Sequence, residues 1–293
     1  MNKKWIQSLS LALAFLCIMV TGNVFADVAE GDTLVSLGAN LTDTEKNQMI
    51  QYFNPPKNAE YIEVTNEEEY RYLGNFVPAG KIGSKAISSA MVTYTKKGSG
   101  INITLDEHIK YITPATYRNA LVTAGVTDAD VSVGAPINVS GTAALTGIMK
   151  AYEVSTGEKI PEDVKKLANE EMVIASEITE DVGEEKTNDL INTIKLEVAD
   201  KMPESPEEVR VIINNISNQY NINLSDQQIE RLVQLFSKMQ NTNIDWEKIE
   251  KGAKKYSDKA KEYLSSEEGQ EMLEKSKGLF ARFIDWIMSL FQK

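Results

Sequence analysis

VSVGAPINVSGTAALTGIMKAYEV, residues Val131 to Val154, reads as one strand feeding directly into one small-residue helix. Val131, Val133, Ala135, Ile137 and Val139 alternate with Ser132, Gly134, Pro136, Asn138 and Ser140, the two-residue period of a strand with a single buried face. Pro136 has no N–H to offer a neighbouring strand, so the spacing predicts a sheet edge or a bulge there. Ser140 stands where a helix N-cap is expected, and Leu145, Ile148, Met149 and Tyr152 follow as an apolar stripe at helical spacing. Gly141, Ala143, Ala144, Gly147 and Ala151 carry little or no side chain, which lets this helix lie close against a sheet. The N–H groups of Ser140, Gly141 and Thr142 make its N-terminus a candidate place for an anion or polar ligand. No glycine-rich phosphate fingerprint accompanies them, and an ordinary capped core helix is the plainer reading.

Upstream, strands and helices alternate over short connections. Thr33 to Leu37 predicts a strand, and Thr42-Asp43-Thr44-Glu45 a capping box opening a helix that Asn54-Pro55-Pro56 ends. Tyr61 to Val64 reads as a strand, and Thr65-Asn66-Glu67-Glu68 as a second capping box for a short helix closing at Gly74. The acids Glu67 to Glu69 read as a solvated first turn rather than a cation site. Ser88 to Lys96 and Ile101 to Asp106 flank Lys97-Gly98-Ser99-Gly100, a hairpin signal. Thr113-Pro114 opens a helix that Gly125 stops.

Beyond Gly157 the β-branched alternation disappears and acidic, lysine-rich helical segments take over. Helices are expected from Pro161 to near Gly183, from Glu184 to Lys201, after Ser205-Pro206-Glu207-Glu208 and after Ser225-Asp226-Gln227-Gln228. The chain therefore predicts an α+β protein. A mixed-sheet α/β domain covers residues 27–157, a helical region 158–243, and charged then amphipathic helices 244–293. In the last stretch Leu279, Phe280, Phe283, Ile284, Trp286, Ile287, Leu290 and Phe291 form an apolar face too wide for one contact and too short to span a bilayer. Packing on the chain's own helices, contact with a membrane surface and self-association are the three ways to cover it.

Residues 1–26 have the form of a signal peptide: Lys3 and Lys4, an apolar run from Leu9 to Val20, and a small residue at Ala26. Removing it leaves 29 basic against 43 acidic residues, a net charge of −14, and no cysteine, since Cys17 leaves with it. Such a surface repels nucleic acid, and without cysteine there is no disulfide, thiol nucleophile or cysteine metal site. His108 is the one histidine, and no serine lies in a G-x-S-x-G elbow. Asp128 and Asp130 lack the rest of a calcium loop. No cofactor or metal is expected.

Gly38-Ala39-Asn40-Leu41-Thr42, Ser88-Ser89-Ala90, Tyr117 to Gly125, Ala135 to Gly147 and Lys150-Ala151-Tyr152 resemble the secreted Gram-positive family known as domain of unknown function 1002. The likeness covers about Asp32 to Glu262. It implies a secreted or envelope-associated bacterial protein and carries no activity with it. Its polar or small motif residues Ser88, Ser89, Tyr117, Asn119, Thr123, Ser140 and Gly141 are the candidate ligand-binding set, with capping and tight packing as the alternative role. The expected function is a non-enzymatic secreted or envelope protein, with membrane surface, wall component or a second copy as partner. The alternative is an envelope-polymer hydrolase using a carboxylate pair.

Overall fold

The computed structural model of the chain describes residues 29–74 and 83–265, with side chains described as far as Tyr256. Residues 1–26 and the apolar stretch Leu279 to Phe291 lie outside the described residues. The fold is α+β. Five strands, β1 (Thr33–Gly38), β2 (Glu60–Val64), β3 (Ser89–Tyr94), β4 (Ile101–Leu105) and β5 (Ala129–Gly134), form one mixed sheet in the order β2-β1-β3-β5-β4. The outer pairs β1/β2 and β4/β5 are parallel, and β3 runs antiparallel to both its neighbours.

This order corrects two expectations. Lys97 to Gly100 does turn the chain back, but β5 is inserted between β3 and β4, so the two strands are not a hairpin. The turn backbone instead bonds to the inserted strand's leading end, through Thr95 N–H to Asp128 C=O and Ala129 N–H to Gly100 C=O. Nor is the Val131 strand an edge: it is interior and stops at Gly134, two residues before Pro136, so the proline never enters the ladder. Ile137, expected on the buried face, is consequently 50% exposed.

Most of the helices begin where local side chains satisfy their free N–H groups. α1 (Asp43–Phe53) and α2 (Asn66–Leu73) open with full capping boxes at Thr42/Glu45 and Thr65/Glu68. α3 (Pro114–Thr123) is capped by Thr113 with proline at its first position. α4 (Thr142–Thr156) follows, and then α5 (Glu162–Val182), α6 (Glu184–Lys201), α7 (Pro206–Gln219), α8 (Asp226–Gln240) and α9 (Trp246–Ser265).

α4 lies against one sheet face, closely enough that a Cβ on Gly147 would stand 2.2 Å from Ser36 Oγ. The bare side of this helix is therefore used as the sequence implied, for close approach to β1. α3, α5, α6, α7 and α8 extend the same apolar core without a break, from Val131 and Val133 through Ile174, Ile194 and Phe236 to Tyr256. α9 closes the far edge. Tyr256 Oη accepts the Ile101 N–H at 2.9 Å and reaches the Ile101 carbonyl at 3.4 Å, groups that β4 would otherwise leave unpaired. Among the described residues only α1 packs on the opposite sheet face, over a small cluster of Val35, Leu37, Leu41, Met49 and Phe53.

Candidate functional site

Four of the motif residues, Ser88, Tyr117, Ser140 and Gly141, come together where β3 begins and α4 starts. Gly141, not Ser140, is the N-cap of α4, at φ +100° and with no side-chain cap bond. The position demands glycine: besides its left-handed backbone, a Cβ there would lie 2.5 Å from Tyr117 Oη and 2.9 Å from Ile109 Cγ2. Ser140 instead gives its carbonyl to the N–H groups of Tyr111 and Ile112, and its Oγ lies 3.0 Å from Thr142 Oγ1. The capping work is done from a distance by Ser88, whose Oγ accepts the Ala144 N–H at 3.1 Å. Among the described residues no acceptor meets the N–H groups of Gly141, Thr142 and Ala143.

A cavity of about 310 Å³ opens over this helix start, lined by Glu69, Lys85, Ser88, Asn138, Ser140 and Thr142 with Ile87 and Ile137 as apolar wall. Glu69 is its central group. The side chain is only 1% exposed, accepts from Thr142 Oγ1 at 2.5 Å and from Asn66 Nδ2 at 3.3 Å, and is pushed up to about pKa 7 by loss of solvent. The acids Glu67 to Glu69 are thus not a uniform solvated turn. Glu69 precedes Tyr72 and Leu73 by three and four residues, and all three are buried on one face of α2. That spacing was the available signal, masked by the run of like residues. Through the Thr142 hydroxyl the Glu69 carboxyl is held beside the start of α4, without meeting the helix N–H groups.

The other candidates do not line the cavity. Ser89 Oγ accepts the Gly38 N–H at 3.2 Å and donates to Ile87 C=O, holding β3 to the end of β1. Tyr117 is wholly buried and donates to Gly141 C=O at 2.5 Å, with its own pKa driven far up by burial and by the nearby Glu69. Asn119 and Thr123 belong to a buried network between α3, α5 and α6. Lys195 Nζ stands 2.6 Å from Glu171 Oε1, an ion pair with both side chains fully buried. Thr123 donates to Glu171 Oε2 at 2.5 Å, Lys195 donates to Asn119 C=O at 2.8 Å, and Asn192 Nδ2 reaches Asn119 Oδ1 at 3.1 Å. Nothing in the sequence pattern announces this network, because Glu171 and Lys195 sit in helices where such residues are ordinarily solvated.

His108 Nδ1 lies 2.5 Å from Asp106 Oδ1. Asp128 accepts the Gly100 N–H and Asp130 the Asn102 side-chain amide, each at 2.7 Å. Among the described residues no group of histidine, cysteine or carboxylate side chains is arranged to hold a metal ion, and no helix is long and apolar enough to cross a membrane.

A mixed five-stranded sheet with α4 pressed on one face and a carboxyl-bearing cavity at that helix's start defines an α+β protein of a family without an assigned activity. The family is the one described as Protein of unknown function (DUF1002): it matches residues 37–256, and the chain belongs to it. A relative from Bacillus subtilis (strain 168), the uncharacterized protein YpuA, is 43% identical over 293 residues, covering all of both chains. No solved structure is a significant match.

Proposed function

We propose that this protein is an exported binding module of the bacterial cell envelope, with the cavity at the start of α4 as its ligand site. The observation that carries the reading is the lining itself: the hydroxyls of Ser88 and Ser140, the Asn138 amide and the buried Glu69 carboxyl converge on about 310 Å³, room for one small molecule. With the Glu69 carboxyl and the Asn138 amide in its lining, the ligand the cavity suits carries hydroxyl or amine donors. Export rests on the form of residues 1–26. The hydrolase alternative needs two carboxylates facing one substrate, and among the described residues Glu69 is the one carboxylate lining this cavity.

Titrating the processed chain with D-glucosamine and with inorganic phosphate, read by backbone amide shifts, tests the site. Glucosamine should move the Ser88, Ser140 and Gly141 amides while phosphate leaves them in place. Ser140→Ala should weaken binding about fivefold, the worth of one hydrogen bond, without lowering the melting temperature. Silence at these amides with both probes would remove the cavity as the ligand site.

The apolar face from Leu279 to Phe291 supports a second part of the reading, contact of the C-terminal stretch with the membrane surface. Co-sedimentation with anionic liposomes should occur with the processed chain and disappear when Leu279 to Lys293 are deleted. Equal behaviour of the two forms would discard that contact.

A further inference from the structure

The sheet is covered unequally. On the face away from α4, α1 packs over Val35 and Leu37, with Met91 at the border of that cluster and Gly134 of β5 under its Met49 and Tyr52, while β4 and β5 as far as Ser132 carry no helix among the described residues. Parallel strand pairs are ordinarily buried on both faces, so a bare β4/β5 pair calls for an explanation. The register shows what the bare part presents. Met91, Ser132 and Thr104 form one cross-strand row, and Thr93, Asp130 and Asn102 form the next. Thr104, Asp130 and Asn102 are exposed, and the Asn102 amide and Asp130 carboxylate are tied together at 2.7 Å.

An aromatic ring borders these rows. Gly134 continues β5 beyond Ser132, and Tyr52 of α1 lies directly on it: a Cβ at Gly134 would meet the Tyr52 ring at 2.9 Å. Tyr52 is held by an edge-to-face contact with the buried Phe53, ring centres 5.2 Å apart, yet remains 41% exposed. Glycine at this point of the strand lets an anchored ring lie beside a flat field of hydroxyl, amide and carboxylate groups.

We propose that this half-face, bordered by Tyr52, is a docking surface for a neutral, extended glycan. The polarised C–H groups on one side of a pyranose ring suit the negative face of an aromatic ring, and its hydroxyls suit planar amide and carboxylate partners spaced at the strand repeat. Charge decides against anionic partners. With a net charge of −12 on the full chain and Asp130 within the surface, an anionic polymer is repelled. A protein partner needs a desolvated apolar centre that one tyrosine beside polar rows does not provide. The surface is separate from the α4 cavity, and neither proposal depends on the other.

The probe is a β-1,4-linked N-acetylglucosamine hexamer, titrated into the processed chain and followed by backbone amide shifts. Shifts at Met91, Ser132 and Thr104 are expected, with affinity falling about tenfold in Tyr52→Ala and largely kept in Tyr52→Phe. Thr104→Lys, which touches neither α1 nor the core, should block the surface without changing the melting temperature. Shifts confined to Ser88, Ser140 and Gly141, or undiminished binding by Thr104→Lys, would overturn the proposal in favour of the cavity. Concentration-dependent shifts of the same sheet amides without the hexamer would overturn it in favour of a second copy of the chain.

Discussion

Lys195→Met should cost about 3–5 kcal/mol of stability, a drop of roughly 10 °C in melting temperature for a chain of this size. Methionine nearly fills the space, so the loss is electrostatic. Glu171, fully buried, would keep only Thr123 as a partner, and the Asn119 carbonyl would lose the ammonium 2.8 Å away. Burial already pushes the Glu171 carboxyl up and the Lys195 ammonium down, and their mutual attraction opposes both shifts. Removing one partner removes that opposition. The double variant Lys195→Met/Glu171→Leu, which leaves no buried charge, should recover most of the loss, because two charges taken out of water gain little over well-packed apolar groups. Denaturant midpoints of the two variants distinguish the cases. A double variant no more stable than the single would mean that the network holds α3, α5 and α6 through its neutral hydrogen bonds instead.

That network shows where reading the sequence reaches its limit. The boxes at Thr42/Glu45, Thr65/Glu68 and Ser225/Gln228 were legible because each closes within four residues. The one-sided burial of β5 was legible as well: Val131 and Val133 face the core while Asp130 and Ser132 face the bare side. Strand order was not legible, because Lys97 to Gly100 specifies that the chain reverses and not which strand comes to lie beside β3. The insertion of β5 depends on pairings some 40 residues distant, such as Met91 with Ser132. The site was half legible. Gly141 and Ser88 were visible as motif residues, but their work, a glycine cap under Tyr117 and a hydroxyl cap delivered from another segment, exists only once β3 and α4 are side by side. Glu69 was hidden by its neighbours, since the count of acids in a first turn does not say which one points inward.

Glu69 should make stability fall as pH rises from about 4.5 to 7. Its folded pKa of about 7 lies above the ordinary 4.5, so the native state holds a proton that the unfolded chain releases across that window. Below 4.5 both states are protonated and the contribution is complete. Above 7 it is gone, after a loss of up to about 3 kcal/mol at roughly 1.4 kcal/mol per pH unit. Asp189, also raised to about 7 by burial and by Glu185, acts in the same window, so the Glu69 part is the difference between the wild type and Glu69→Gln. That variant should have the flatter curve and be the more stable form at pH 8; parallel curves would mean that the carboxyl is ionised in the fold throughout. The same proton links the site to its ligand. A charged amine drawn to the ionised carboxyl binds only the deprotonated fraction of the protein, so its affinity should rise about tenfold per unit up to pH 7 and fall again once the amine loses its own proton. A ligand with hydroxyls alone, which either form of the carboxyl accommodates, should show no such rise. Glucosamine and N-acetylglucosamine, in which an acetyl group turns the charged amine into a neutral amide, would separate the two.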